Sequence, residues 1–144
     1  MTTVAQVLNS KKSFEISTIT PDATVLDAIT LMANKGIGAV VVTSEEGKVV
    51  GIISERDYTR KVALLQRTSD HTVVAEIMTG QVLTVSKSNT VDECLGLMTE
   101  RHIRHLPVIE NDQLVGIISI GDLVKAAMED QRQLIEQLQQ YISG

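Results

Sequence analysis

The sequence predicts a mixed α+β fold built from one unit used twice, each copy a small sheet packed on two helices. Three observations predict it. Residues 51–57 read GIISERD and residues 116–122 read GIISIGD, alike at five of seven positions. Residues 24–32 (TVLDAITLM) align with residues 90–98 (TVDECLGLM) at an offset of 66, with Thr, Val, Leu and Met identical. Helical and strand periodicities then follow in the same order in both copies. Two copies are too few for a solenoid, and they predict a pseudo-twofold pair sharing one interface.

Each copy opens with a short entry strand, residues 16–19 and 82–85. Val25, Ala28, Ile29 and Met32 then recur at helical spacing, as do Val91, Cys94, Leu95 and Met98. Thr24 and Thr90 precede these helices, with Asp27 and Glu93 three residues on, the arrangement of a capping box. Apolar strands follow at residues 38–43 and 105–109, then polar turns, then strands at 49–54 and 114–119; strand, turn, strand at this spacing predicts a hairpin. A helix follows each GIIS, residues 56–66 and 121–142. Residues 72–79 predict a short helix that starts the second unit, and residues 4–8 are its counterpart. The division is 1–67 for the first repeat, 68–128 for the second and 129–144 for a helical extension with a partial apolar stripe over a Gln-rich face.

Composition bounds the function. Hydrophobic residues make up 43% of the 144, an ordinary globular share. The apolar run at 39–42 is far short of a membrane span, and the N-terminus does not read as a secretory signal. A net charge of −5 argues against a general nucleic-acid surface, which relies on clustered Lys and Arg. One cysteine, Cys94, excludes an internal disulfide and fits a reducing cytoplasm. The aromatics are Phe14, Tyr58 and Tyr141, too few for a site built on stacking. Neither a paired nucleophile and base nor a Gly-rich phosphate loop is visible, so the chain does not read as an enzyme. His102 and His105 stand three apart without a third ligand nearby, so no metal is expected; His102 reads as a solvated helix end and Cys94 as core.

The two GIIS-x-x-Asp phrases, Arg104-His105-Leu106-Pro107-Val108 before the second hairpin, and Ile77-Met78-Thr79 at the entry to the second unit resemble the cystathionine-β-synthase (CBS) domain. Two in tandem resemble a CBS pair, or Bateman module, of the stand-alone kind, over residues 4–128. The resemblance implies a nucleotide-binding regulatory module that binds AMP, ADP, ATP, NAD or S-adenosylmethionine between the repeats, AMP or NAD favoured. It also implies a homodimer and an output in trans on a protein partner, as in signal transduction or energy sensing. The alternative is a structural or interaction scaffold with degenerate sites.

The resemblance draws each cleft from both repeats. Cleft one combines Ile52, Ser54, Arg56 and Asp57 with Val82, Leu83, Thr84, Arg104, His105 and Pro107. Cleft two combines Ile117, Ser119 and Asp122 with Ile16, Ser17, Thr18, Gly38 and Ala39. Chemically, Asp57 and Asp122 can each accept hydrogen bonds from a ribose diol, at a helix start where the dipole favours a carboxylate and backbone N–H groups can hold phosphate. Ser and Asp at a helix start are also ordinary capping residues, and the two roles are compatible. Cleft one carries Arg56, Arg104 and His105 where phosphate would lie. Cleft two has Gly121 and Gly38-Ala39 at the matching positions and is expected to bind more weakly; Lys35 and Arg60 are candidates to compensate.

Overall fold

A computed structural model describes residues 1–11 and 16–143. The elements run α1 (Val4–Ser10), β1 (Thr18–Ile19), α2 (Val25–Lys35), β2 (Ala39–Thr43), β3 (Val49–Ser54), α3 (Glu55–Tyr58), α4 (Val74–Ile77), α5 (Val91–Arg101), β4 (His105–Glu110), β5 (Gln113–Ser119) and α6 (Ile120–Ser143). The fold is the expected mixture of helices and small sheets.

Two compact units form: Met1–Phe14, Thr84–Glu110 and Val115–Gly144 in one, Glu15–Leu83 and Asn111–Leu114 in the other. This spatial division differs from the sequence division after residue 67. The leading helices are exchanged: α1 belongs with the second repeat and α4 with the first. Backbone pairing is the reason. Val4 N–H donates to Asn89 O at 2.8 Å and Val91 N–H to Thr2 O at 3.0 Å. In the other unit Val25 N–H donates to Thr72 O and Val74 N–H to Ala23 O, both at 2.8 Å. Each leading helix thereby satisfies backbone groups beside the capped start of a long helix, which would otherwise lack partners.

Within residues 15–83, β1 pairs parallel with β2 and β2 antiparallel with β3, in the order β1-β2-β3. The register sets Ala39 opposite Ser54 and Val42 opposite Gly51. Val40, Val42 and Ile53 meet Val25, Ala28 and Met32 of α2 and Val74 and Ile77 of α4 in one apolar core. β2 is buried along Ala39–Val42, which explains its unbroken apolar run.

The other unit repeats this plan with differences. β4 and β5 form a two-stranded sheet. The expected entry strand at 82–85 is reduced to a single parallel bridge, Val85 to Val108. Val4, Val7, Cys94, Met98, Leu106, Ile118 and Leu123 are among its buried side chains.

Both long-helix capping boxes form. Thr24 Oγ1 accepts from Asp27 N–H and Thr90 Oγ1 from Glu93 N–H, each at 3.1 Å, while the acidic side chains accept from the threonine N–H groups. The far ends also match: α2 stops at Gly36 (φ +65°) and α5 at His102 (φ +55°), both left-handed. His102 is the exposed helix end the sequence suggests.

The glycines of the two GIIS phrases have a steric reason. A Cβ on Gly51 would lie 2.5 Å from Met78 Sδ and 3.1 Å from Thr79 O; one on Gly116 would lie 2.8 Å from Leu8 Cδ2. Each hairpin strand thus drops its side chain where a leading helix lies against it.

The helix expected over 56–66 is regular only to Tyr58; residues Thr59–Ala63 widen into a π turn, with Leu64 N–H donating to Thr59 O at 3.0 Å.

Candidate functional site

Both Ser-x-x-Asp phrases fold alike at the junction of a hairpin strand with a helix. Ser54 ends β3 in extended conformation and caps α3. Its N–H donates to Asp57 Oδ2 at 2.9 Å and its Oγ to the same oxygen at 3.1 Å, while Asp57 N–H donates back to Ser54 Oγ at 3.3 Å. At the end of β5, Ser119 N–H donates to Asp122 Oδ2 at 2.9 Å and Asp122 N–H to Ser119 Oγ at 3.2 Å. The short side chains reach back three residues because one helical turn sets them over the strand end. Four backbone N–H groups and the Ser54 hydroxyl are satisfied, and each carboxylate is held in a fixed place.

Each unit also brings the residue before its first hairpin strand to this turn. Glu55 N–H donates to Gly38 O at 3.1 Å and Ile120 N–H to Arg104 O at 2.9 Å. Gly38, Ala39, Ser54 and Asp57 are therefore neighbours in one unit, and Arg104, Ser119 and Asp122 lie close along the chain path in the other. His105 follows as the first residue of β4, half-buried. Arg56 is exposed on the first turn of α3.

The remaining candidates are placed as follows. Thr18 pairs with Val41 in β1, with Ile16 and Ser17 half-buried just before it. Ile52 is half-buried, its N–H and C=O both bonded to Thr79, at 3.0 and 2.9 Å. Val82 and Leu83 are half-buried. Thr84 is exposed, immediately before Val85, whose N–H donates to the carbonyl of buried Pro107 at 3.0 Å. Ile117 is half-buried and its carbonyl accepts a hydrogen bond from a lysine described next.

Two lysines complete the carboxylate sites, and sequence reasoning missed both. Lys61 Nζ lies 3.2 Å from Asp57 Oδ1 and donates to Ile77 O at 2.9 Å. Spacing was a usable signal, because i and i+4 share a helix face. Lys11 Nζ lies 3.0 Å from Asp122 Oδ2 and donates to Ile117 O at 2.9 Å. No local signal marks Lys11: it stands 111 residues from Asp122 and arrives only because α1 packs with the second repeat. Asp122 therefore has a cation beside it, although its phrase carries Gly121 where the first carries Arg56.

Electrostatics favour the ionised form of Asp122. Burial opposes its charge, but the Ser119 N–H, the Lys11 ammonium and the Ser119 hydroxyl together outweigh that and hold its carboxyl below the ordinary aspartate range. Cys94 is the opposite case. Burial, helped by the neighbouring Glu93 charge, pushes its thiol up, so the reactive thiolate is disfavoured. Among the described residues there is no group of three His, Cys, Asp or Glu side chains able to hold a metal ion, and no helix long and apolar enough to cross a membrane.

Comparison with known proteins matches these features. The CBS domain family matches residues 4–64 and 74–129. A CBS-domain protein from Burkholderia ambifaria is 52% identical, with a TM-score of 0.85 over 90% of this chain and 96% of that one. The mitochondrial CBS domain-containing protein CBSX3 of Arabidopsis thaliana is 40% identical over 150 residues, covering 99% of this chain and 73% of the relative. A longer relative, a 33.4 kDa protein of Thermofilum pendens, is 40% identical over 98 residues, of which the match spans 32%. The CBS pair of protein MJ0100, solved with 5′-methylthioadenosine and S-adenosyl-L-methionine, is 26% identical, with a TM-score of 0.78 over 90% of this chain and 98% of that one. With two capped Ser-x-x-Asp turns, a hairpin and a long helix in each half, this chain belongs to the CBS domain family and carries two CBS domains in tandem.

Proposed function

We propose that the chain is a sensor of adenosine-containing nucleotides that regulates a protein partner in trans and catalyses no reaction itself. The observation that carries this reading is the duplicated capped aspartate. Asp57 and Asp122 are each fixed by a serine N–H at a strand–helix junction, a carboxylate prepositioned to accept two neighbouring hydroxyls. The ribose of AMP, NAD, ADP, ATP or S-adenosylmethionine offers that diol, and the MJ0100 pair supports an adenosine ligand. In this reading cleft one draws on Ile52, Ser54, Arg56 and Asp57 with Val82, Leu83, Thr84, Arg104, His105 and Pro107. Cleft two draws on Ile117, Ser119 and Asp122 with Ile16, Ser17, Thr18, Gly38 and Ala39. Aliphatic side chains flank the base, in keeping with the shortage of aromatics. The ligand acts by binding two states of a homodimer unequally, since equal affinity would shift nothing. A reducing compartment such as the cytoplasm suits the single buried thiol.

A second reading has its own observation. Lys61 and Lys11 already hold both carboxylates in ion pairs within the chain. If these pairs are permanent, the aspartates serve as caps alone and the chain is a scaffold.

Thermal unfolding with AMP, ADP, ATP, NAD, NADH and S-adenosylmethionine separates the two, with wild type beside Asp57→Ala and Asp122→Ala. A ligand at about 100 times its Kd adds about 2.7 kcal/mol to the native state. That raises Tm by roughly 5–10 °C in a chain of this size. A ligand-induced shift lost in one alanine variant assigns the site. Absence of any shift at millimolar ligand, after bound nucleotide has been stripped, sinks the sensor reading.

A further inference from the structure

The two capped aspartates take their cations from different parts of the chain. Beside Asp57 the ammonium comes from Lys61, one helical turn further on. The residue at the same place after Asp122 is Ala126. There the ammonium comes from Lys11, just after α1. Leu8 and Met78 lie against the two equivalent glycines, which sets Gln81 at the place of Lys11. Each half thus has one lysine, at the position where the other half has none. Each lysine also donates to a backbone carbonyl at 2.9 Å, Ile77 O for Lys61 and Ile117 O for Lys11. Two separate routes bring an ammonium to the same spot, so its place beside the aspartate is part of the turn rather than an incidental surface pair.

The lysines do not occupy the carboxylates in the same way. A carboxylate has about four acceptor positions, two on each oxygen. Asp57 Oδ2 accepts the Ser54 N–H at 2.9 Å and the Ser54 hydroxyl at 3.1 Å, while Lys61 stands 3.2 Å from Oδ1. That leaves about one position on Asp57. At Asp122 the Ser119 N–H and Lys11 both take Oδ2, at 2.9 and 3.0 Å. Among the described residues no bond reaches Asp122 Oδ1, which leaves about two positions there. A diol donates two O–H groups. Asp122 can accept both with Lys11 in place, but Asp57 can accept both only when a present donor leaves.

Lys61 is the donor free to leave. The Ser54 N–H and hydroxyl belong to a cap closed within three residues, and the hydroxyl also accepts from Asp57 N–H. The Lys61 contact is the longest of the three, and its side chain is 44% exposed. Water can solvate the released ammonium while the bond to Ile77 O keeps it nearby. Lys61 also sits in the π turn, a feature that collects at functional sites. We infer that Lys61 is a built-in competitor of the ligand diol at Asp57, displaced from the carboxylate when an adenosine compound binds, whereas Lys11 is an anchor that stays on Asp122. This division of roles rests on the diol recognition proposed above. It makes Asp122 the readier acceptor of a diol, and it makes the first site selective against ligands that cannot displace the lysine.

Titration of the full chain with adenosine and with 2′-deoxyadenosine, followed by nuclear magnetic resonance, tests this. The Ser54 and Asp57 amides report one site and the Ser119 and Asp122 amides the other. Adenosine is the moiety the candidate ligands share, and neither probe carries a phosphate to pair with a lysine. 2′-Deoxyadenosine keeps only one hydroxyl of the adjacent pair and displaces nothing at Asp57. Lys61→Met is expected to tighten adenosine at the Asp57 amides by about fivefold, the effect of removing a part-exposed ion pair. It should leave 2′-deoxyadenosine unchanged there. Lys11→Met is expected to weaken adenosine at Asp122. Lys61→Gln can still donate to Ile77 O, so it guards against a misfolded methionine variant, and it should shift adenosine in the same direction. Adenosine binding that is unchanged or weaker at Asp57 in both Lys61 variants overturns the inference and leaves nucleotide sensing standing. Equal tightening of both probes overturns it too, since a general change of charge or fold acts on both. So does tighter adenosine at Asp122 in Lys11→Met. Adenosine shifts at neither aspartate in any of these chains, at millimolar concentration, would remove the diol reading itself and this competition with it.

Discussion

Lys11 Nζ lies 3.0 Å from Asp122 Oδ2 and bonds the Ile117 carbonyl as well, closing a triangle between α1, β5 and α6. The side chains are 31% and 25% exposed, so water screens the pair only partly. Lys11→Met is expected to lower stability by about 1 kcal/mol, a fall in Tm of about 2–4 °C. Combined with Asp122→Asn, the two losses should not add, because both remove one interaction. A double-mutant cycle by urea unfolding checks this; full additivity would show that the pair contributes nothing.

The same carboxyl makes stability depend on pH in a definite direction. Its folded value is lowered by its hydrogen bonds and Lys11, although burial opposes the charge. A lowered folded value means the unfolded chain binds the proton first. The contribution is complete above the unfolded value of about 3.9 and is lost as pH falls through the lower folded value. Urea midpoints measured from pH 7 to pH 3 should fall at the acid end by less in Lys11→Met than in wild type. Equal acid sensitivity would assign the loss to other groups.

Gly51 is expected to tolerate no side chain. Gly51→Ala sets a methyl against Met78 Sδ and the Thr79 carbonyl; the sulfur can swing aside but the carbonyl belongs to a backbone bridge. A loss of about 1–3 kcal/mol follows from overpacking. Gly116→Ala meets only the flexible Leu8 side chain and should cost less. Thermal unfolding of the two variants gives the order, and a larger loss at Gly116 would contradict the geometry.

His102→Gly should stabilise the protein. His102 adopts φ +55° at the end of α5, where Gly36 serves the equivalent place on α2. Relief of the left-handed strain exceeds the added freedom of the unfolded chain, for a net gain of about 0.5–1 kcal/mol. A lower Tm in the variant would mean that the imidazole makes a contact worth more than the strain.

Cys94 should resist alkylation in the native chain and react on unfolding, since it is fully buried with its thiol pushed up. Thiol-reagent kinetics with and without urea check this; rapid native labelling would require an opening of α5.

Much of each repeat was legible in sequence because its signals are local. Thr24 with Asp27 and Thr90 with Glu93 marked helix starts, since a cap and its partner lie within one turn. The apolar run at 39–42 and the GIIS phrases marked the hairpins, and the pairing of Ser54 with Ala39 follows from one register. Ser54 with Asp57 and Ser119 with Asp122 were legible as caps for the same reason. The π turn at Thr59–Ala63 was not: no residue in it marks a widened turn, and the bond from Lys61 within it to Ile77 O joins residues 16 apart.

By itself, then, the sequence determined that one unit is used twice, where its helices are capped and where its carboxylates stand, all consequences of contacts within a few residues. Only the tertiary structure decided that the leading helices change places, that Gly51 and Gly116 are small to admit Met78 and Leu8, and that Lys11 reaches Asp122. Those outcomes rest on backbone hydrogen bonds and packing between segments far apart in the chain, whose partners become neighbours only once the core has closed.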